Sequence, residues 1–369
     1  MIGVLTTSYP RFPDDGAGVF VRERVRVLLA EGSEVEILAA SARDGASEDE
    51  GQVTRIEAGG LFYEGGAPEA LEVPERLSRW LAMAEAARFS LAMLGQLTLR
   101  AYRWDAVESH WLVPCGMLAC AALPHLPHRA HVHGGDLYLL ARLRWGDSVG
   151  RAICRQKPVL VFASATLRDR FCALIDSSPE ALGAQCRIEP AAFDARVFYR
   201  RSAEDKTRLR LALGLRTPTV LAAGRLVPIK GFDVLVAALG TIPAAARPEL
   251  VIAGEGPEQA SLARLAHAAG VRLQLAGVLG QHALAEWMAA ADLFVHPCRT
   301  LANGRSEGMP LVVREALACG LPVIASASGG LGELRGTQGL TLVDPDETGA
   351  LARAIVHALP TGTHDAGRA

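Results

Sequence analysis

No pair among the seven cysteines (Cys115, Cys120, Cys154, Cys172, Cys186, Cys298 and Cys319) has C-x-x-C spacing, and their number is odd. Neither a disulfide framework nor a zinc ribbon is indicated, and a reducing cytosol is the simplest compartment. An excess of basic charge is also missing: 38 Lys and Arg stand against 40 Asp and Glu, for a formal net charge of −2. Broad nucleic-acid binding needs a basic footprint and is excluded as a reading. The G-x-x-x-x-G-K-[ST] phosphate loop does not occur. No leader is apparent: the apolar run at residues 2–7 is short, lacks a basic lead and is soon followed by Pro10, so it reads as a first strand. No uninterrupted membrane-length apolar run occurs either. Residues 80–99 come nearest, but Glu85, Arg88 and Gln96 interrupt them.

What is present is length and alternation. The 369 residues exceed what one core comfortably holds, which predicts two domains. Short apolar runs alternate with helical patterns from end to end, the signature of α/β layers with parallel strands. In the first half, strands are predicted at 2–7, 34–40, 52–58, 106–109, 130–132, 159–163 and 186–189. A helix is predicted at 19–30, and 74–103 reads as largely helical. Residues 190–206 carry mixed charge without a clear period and read as a linker. The pattern restarts with strands at 219–223, 250–253, 272–276, 293–296 and 321–325. The expected organisation is a doubly wound domain over 1–189, a linker over 190–206, a second doubly wound domain over 207–359 and a tail over 360–369. The ligand site is expected in a cleft where the two domains face each other.

The most informative stretch is 306–325. Glu307 and Glu315 bracket seven residues at the mouth of a predicted helix, Pro310 suits its first turn, and Gly320 ends it. Were the whole bracket helical, the two carboxylates would lie roughly 12 Å apart along the axis. Between them, free N–H groups and the positive helix end favour an anion. Such a layout suits a ligand with hydroxyls at both ends and a diphosphate between. The plainer reading is an ordinary amphipathic helix with Glu315 inside. Glu307-x7-Glu315 followed by Ala-Leu-Ala-Cys-Gly-Leu-Pro-Val-Ile-Ala resembles the signature of retaining GT-B glycosyltransferases of family 4, the group 1 glycosyl transferases.

Three other loops fit that resemblance in order. Asp14-Asp15-Gly16-Ala17-Gly18 leads into the helix at 19–30, where glycines let backbone approach a ligand; a plain turn is the alternative. His133-Gly134-Gly135-Asp136 ends a strand, where α/β sheets line their ligand crevices; His133 as a satisfied strand-end residue is the alternative. Gly224-Arg225-Leu226-Val227-Pro228-Ile229-Lys230-Gly231 follows a strand directly, and two cations five residues apart can clamp one diphosphate. Gly254-Glu255-Gly256-Pro257 imitates a dinucleotide fingerprint, but Gln259 occupies the third glycine position. Gly304-Arg305-Ser306-Glu307-Gly308 imitates the G-x-S-x-G elbow of hydrolases, yet it lies too far from the strand at 293–296. His125, His128, His131 and His133 raise a metal site, but only Asp136 stands near as a carboxylate, and no metal is assigned.

The resemblance implies two Rossmann-like domains and transfer of a sugar, with anomeric configuration retained, from a nucleotide-diphosphate sugar to a saccharide or polyprenyl-linked acceptor. Polysaccharide or glycolipid synthesis is the implied setting. It implies that Gly16, Gly18, Arg225, Lys230, Glu307, Gly308, Met309, Pro310, Leu311 and Glu315 meet the donor. His133 would sit beside the transferred sugar with Glu307 orienting that sugar, and Asp136 would lie on the acceptor side. No cofactor, metal or nucleic acid is implied. Members usually continue with a further helix crossing back to the first domain; after Leu359 this chain shows only the short tail. A nucleotide-sugar epimerase and a non-catalytic sugar-nucleotide binder remain as alternatives. A pyridoxal phosphorylase would need a lysine beyond Lys157, Lys206 and Lys230. Finally, Arg76, Arg79, Arg88, Arg100 and Arg103 accompany Trp80, Phe89, Leu91, Met93, Leu94 and Leu97 over 76–103. That composition suits peripheral contact with the inner face of a membrane; a core helix of the first domain is the alternative.

Overall fold

A computed structural model of the protein describes residues 1–12, 15–41, 52–58 and 79–359. The chain separates into two compact units, Met1–Phe193 and Asp194–Ala369. That division falls within the stretch read as a linker, but its end is not irregular. A helix, Ala203–Ala212, begins there, and the Ser202 hydroxyl caps it by accepting from the Asp205 N–H.

The first unit is a seven-stranded parallel sheet. Its strands are β1 (Ile2–Thr6), β2 (Val35–Ser41), β3 (Gln52–Glu57), β4 (Ala106–His110), β5 (His128–Val132), β6 (Val159–Phe162) and β7 (Cys186–Ile188), in the order β3-β2-β1-β4-β5-β6-β7. β1 pairs in register with β2 (Ile2 opposite Val35) and with β4 (Ile2 opposite Ala106). Strands such as Val4-Leu5 and Ile37-Leu38 are apolar on consecutive residues and fully buried, as a sheet covered on both faces requires. One side packs on the helix Val19–Ala30 through Val21, Val25 and Leu28. The other packs on the helix Arg79–Arg100 through Ala82, Phe89, Met93 and Leu97.

That second contact corrects one expectation. Phe89, Met93 and Leu97 belong to the core and are not available to a membrane. Arg100 and Arg103 are engaged by the buried Glu36, and Arg88 reaches Glu57 at 3.2 Å. The outward face of the helix nonetheless keeps Trp80, Leu91 and Leu99 exposed, at 80%, 70% and 68%. Arg76 lies outside the described residues. Among the described residues, no helix is long and apolar enough to cross a membrane.

The second unit has β8 (Thr219–Ala223), β9 (Glu249–Ala253), β10 (Leu273–Gly277), β11 (Leu293–His296), β12 (Val323–Ser326) and β13 (Leu340–Val343), all parallel, in the order β10-β9-β8-β11-β12-β13. β13, a four-residue edge strand pairing Val323 with Leu340, was not among the expected strands. Gly339 and Asp344 close in on it, leaving too short a run for periodicity to register. In each unit the strand order reverses beside the first strand, between β1 and β4 and between β8 and β11. Ligands of doubly wound sheets bind outside the carboxyl ends at such reversals. Of the stretches singled out above, the one ending at Gly18 lies after β1, 224–231 after β8 and 304–310 after β11, while 133–136 follows the neighbouring strand β5.

Candidate active site

In the second unit the backbone itself is the precision element. Gly224, directly after β8, has φ 145°. A Cβ on Gly254 would stand 2.0 Å from the Gly224 carbonyl oxygen, and one on Gly256 would stand 2.6 Å from that of Leu226. The Leu226 N–H donates to Glu255 O at 2.8 Å, and the Glu258 N–H donates to Leu226 O at 3.0 Å. Gly254-Glu255-Gly256-Pro257 is therefore the platform on which the Arg225 loop rests, with its glycines occupied by backbone packing. Lys230 ends the turn Pro228–Lys230, and Gly231, at φ 65°, starts the helix Phe232–Thr241. A side chain at Gly231 would collide with Pro297 O at 2.1 Å, so the loops after β8 and β11 are pressed together.

That close approach brings Lys230 to Glu307: Nζ donates to Oε2 at 3.1 Å, with the two side chains 15% and 16% exposed. Burial pushes the Glu307 carboxyl up, but the cations Lys230 and Arg305 outweigh it and hold it below the usual carboxylate range. The helix begins only at Leu311, with Pro310 as its N-cap. Glu307, Gly308 and Met309 therefore lie in the preceding loop, and the fully helical bracket is corrected: only Glu315 is on the helix. Gly329 at φ 58° packs on the Glu307 carbonyl, where a Cβ would meet oxygen at 1.8 Å, and the Gly330 N–H donates to Gly308 O at 2.8 Å. Ser306 lies in this same braced loop, well beyond β11, and is not on the strand-to-helix turn that a hydrolase nucleophile needs.

Glu315 is 5% exposed, and burial raises its carboxyl to about 8, with Arg314 opposing. At the end of β11, His296 is fully buried and neither ring nitrogen has a hydrogen-bond partner among the described residues. Burial, then Lys230, lowers its pKa to about 3, so the imidazole is neutral. His296 was not singled out from sequence; a polar residue closing the apolar run Leu293-Phe294-Val295 was the available signal.

In the first unit, Gly16 and Gly18 divide. Gly18, at φ 72°, starts the helix Val19–Ala30, and a Cβ there would meet Ser8 O at 2.3 Å. Gly16 is exposed, with open space around it. The loop owes its shape to buried Asp15, which accepts from the N–H groups of Arg11 and Ala17 at 3.0 Å each. Asp14 lies outside the described residues.

Around His133 three imidazoles run nearly parallel: His131 on His110 at 4.4 Å and 11°, and His110 on His133 at 5.4 Å and 12°. His110 Nδ1 and His133 Nε2 share a hydrogen bond of 3.2 Å, and His131 Nε2 bonds Glu108 at 3.1 Å. Glu108 in turn holds Arg24. Phe20 and Trp111 close over His133 with centroids at 4.6 and 4.8 Å. Trp111 has φ 75°, a strained conformation for a non-glycine residue that costs on the order of 1–3 kcal/mol and clusters at working sites.

Asp136, expected on the acceptor side, is corrected. It is wholly buried. One oxygen accepts from Leu112 N at 2.6 Å, and the other accepts from the N–H groups of His133, Gly134 and Leu137. It fixes the turns carrying Trp111 and His133, and it is not placed to meet a ligand. Among the described residues, Glu108, His110 and His131 offer metal-ligand atoms within 4.8 Å of one another. However, an imidazole binds a metal in its ring plane, and two stacked, near-parallel planes share no such point. Glu108 is also committed to Arg24. The residues present do not fit a metal centre.

Residues 217–360 match the family model described as Glycosyl transferases group 1. The chain is 30% identical over 336 residues to a D-inositol 3-phosphate glycosyltransferase from Xylanimonas cellulosilytica, covering 86% of this chain and 76% of that protein. The chain belongs to the group 1 glycosyl transferases. This glycosyltransferase is also 37% identical over 190 residues to a GDP-mannose-dependent phosphatidylinositol monomannoside mannosyltransferase from Corynebacterium glutamicum. That match spans 50% of this chain and about half, 48%, of the relative's length. Among solved structures, sucrose-phosphate synthase from Thermosynechococcus elongatus superposes with a TM-score of 0.72 at 22% identity, covering 96% of this chain and 88% of that one. The likeness, with the two parallel sheets, establishes the GT-B fold for this glycosyltransferase.

Proposed function

We propose that this glycosyltransferase takes a nucleotide-diphosphate sugar as donor and transfers the sugar, with retained configuration, to a saccharide or polyprenyl-linked acceptor. The observation that carries the reading is the meeting of Lys230 and Glu307 at the strand-order reversal of the second unit, beside the loop bearing Arg225. A cation pair on a glycine-shaped loop suits a diphosphate, and a carboxylate beside it suits sugar hydroxyls. The GDP-mannose dependence in the name of the corynebacterial relative supports this donor class. Arg225 and Lys230 neutralise the leaving diphosphate. Glu315 takes hydrogen bonds from the ribose, Glu307 and the Gly308, Met309 and Leu311 N–H groups hold the sugar, and His133 serves the sugar being transferred. In the step itself the acceptor oxygen bonds to the anomeric carbon as the bond to phosphate breaks. The acceptor proton passes to the departing phosphate oxygen. Family resemblance supports this same-face displacement over a covalent intermediate.

The test is a donor panel including GDP-mannose, read by released nucleoside diphosphate with and without saccharide and polyprenyl-phosphate acceptors. Acceptor-dependent release is expected, and it should survive exhaustive chelation because cationic side chains supply the charge. Release restored only by manganese or magnesium would overturn metal independence. Donor binding without turnover on any acceptor would favour a binder. Arg225→Ala should weaken nucleoside diphosphate binding by roughly 1.5–3 kcal/mol, the range for a lost charge-assisted bond; unchanged affinity by calorimetry would remove Arg225 from the donor site.

A lipid-linked acceptor would make contact with the inner membrane face useful, and the exposed apolar edge of the helix Arg79–Arg100 supports it. Trp80 and Leu91 share that face, since eleven residues make about three turns. With Arg88, Arg100 and Arg103 already paired, apolar insertion dominates over charge. Trp80→Glu combined with Leu91→Glu should abolish co-sedimentation with anionic vesicles at low salt while leaving the circular dichroism unchanged. A wild-type protein that stays in the supernatant would eliminate the membrane contact.

A further inference from the structure

We infer that His110 is a positioning residue that locks His133 in the tautomer carrying its proton on Nδ1, so that His133 meets its ligand as a hydrogen-bond donor. The geometry is a two-ring problem with few solutions. His110 Nδ1 and His133 Nε2 lie 3.2 Å apart, which permits one proton between them. If that proton belongs to His133, neutral His110 must carry its own proton on Nε2. If it belongs to His110, the His110 Nε2 is a bare lone pair and His133 holds its proton on Nδ1.

The surroundings choose between the two. His110 is 2% exposed, and its Nε2 is buried without a partner among the described residues. Either tautomer leaves that atom without such a partner, and a buried N–H lacking an acceptor is the rarer of the two outcomes. The second arrangement is therefore favoured, with His110 donating and His133 accepting at Nε2. The His133 Nδ1 makes no hydrogen bond to a described residue, and the residue is only partly buried. That nitrogen is the one left for a ligand. Both rings are neutral: burial lowers His133 to about 3 and moves His110 in the same direction. The groups that would otherwise re-protonate the stack are committed elsewhere. His131 faces Glu108, Glu108 faces Arg24, and Asp136 spends its oxygens on backbone N–H groups.

The consequence deepens the role proposed above for His133 and rests on it. A neutral imidazole with N–H outward donates to a hydroxyl or ring oxygen of the sugar; it does not remove a proton from the acceptor. This accords with a step in which the leaving phosphate oxygen takes that proton.

Two readouts separate the inference from the reading beneath it. In protein labelled with 15N at histidine, the wild-type His133 should show Nδ1 protonated and Nε2 bare. In His110→Phe, which keeps a ring in the stack, His133 should shift toward the Nε2–H form, and kcat should fall roughly 10²-fold with donor KM unchanged. In His110→Asn, whose amide nitrogen reaches the position of Nδ1, both the tautomer and most of kcat should return. A wild-type His133 protonated on Nε2, or a His133 tautomer unaltered in His110→Phe, would overturn the inference. Should His110→Phe not fold, the wild-type spectrum alone decides. If the tautomer is as stated but His133→Ala keeps full turnover, the lock stands and the sugar-side role of His133 falls.

Discussion

Glu315→Gln is expected to stabilise the ligand-free protein at pH 8 while removing much of its affinity for nucleoside diphosphate. Burial raises the Glu315 carboxyl from 4.5 to about 8. A folded-state pKa above the unfolded one means that this group's contribution is fully present below pH 4.5. It is lost as pH rises toward 8, because the unfolded chain releases its proton first. At about 1.4 kcal/mol per unit, the loss across that window is on the order of 3–5 kcal/mol. Glutamine does not ionise, so the difference in unfolding free energy between Glu315→Gln and wild type should widen by that amount from pH 5 to pH 8. Denaturant melts at the two pH values measure it. Ribose hydroxyls would draw out the carboxylate form, so nucleoside diphosphate binding should release a proton near pH 7. Calorimetry in buffers of different ionisation enthalpy should detect that release in wild type and not in the variant. Parallel stability curves for the two proteins would show that Glu315 is not held neutral by burial.

The sheets, their parallel sense and most strand positions were legible because buried parallel strands announce themselves as short apolar runs. The runs at 219–223 and 293–296 coincide with β8 and β11. The stretches proposed to meet the donor, 224–231 and 306–315, stood out through spacing and glycine punctuation. What spacing could not provide was contact between loops. Lys230 and Glu307 are 77 residues apart and meet only because Gly231 lets its loop press against Pro297. The glycines at 254, 256 and 329 belong to the same class: each accommodates a neighbouring backbone, and a linear pattern does not say which one. Asp136 failed as an acceptor contact for a related reason. A carboxylate beside a glycine pair is as well suited to capping turns as to binding a ligand, and burial decides between these. The stack of His131, His110 and His133 was half visible: β5 contributes His131 and its continuation His133, but His110 comes from the adjacent strand β4, where it stands opposite His131.

Breaking the Lys230–Glu307 pair is expected to cost more through either partner alone than through both together. Each side chain is about five-sixths buried, and both charges lie close enough to fully buried, neutral His296 to act on its titration. Glu307→Gln leaves an ammonium without its counter-charge, and Lys230→Met leaves a carboxylate so exposed to burial alone. Removing one member of a buried pair costs about 3–5 kcal/mol, while replacing both is often close to neutral. Unfolding free energies for the two single variants and the double variant should therefore be strongly non-additive, with a coupling at the upper end of the usual range of about 0.5–3 kcal/mol. Binding should divide the pair differently. On the proposed reading, Glu307 competes with the diphosphate for Lys230. Glu307→Gln should then leave nucleoside diphosphate affinity equal or higher while turnover falls roughly 10²-fold, the scale for losing one preorganised group at a developing charge. Lys230→Met should lose affinity and turnover together. Equal losses of nucleoside diphosphate affinity in the two variants would show that Glu307 and Lys230 serve one function, with no division between sugar and diphosphate.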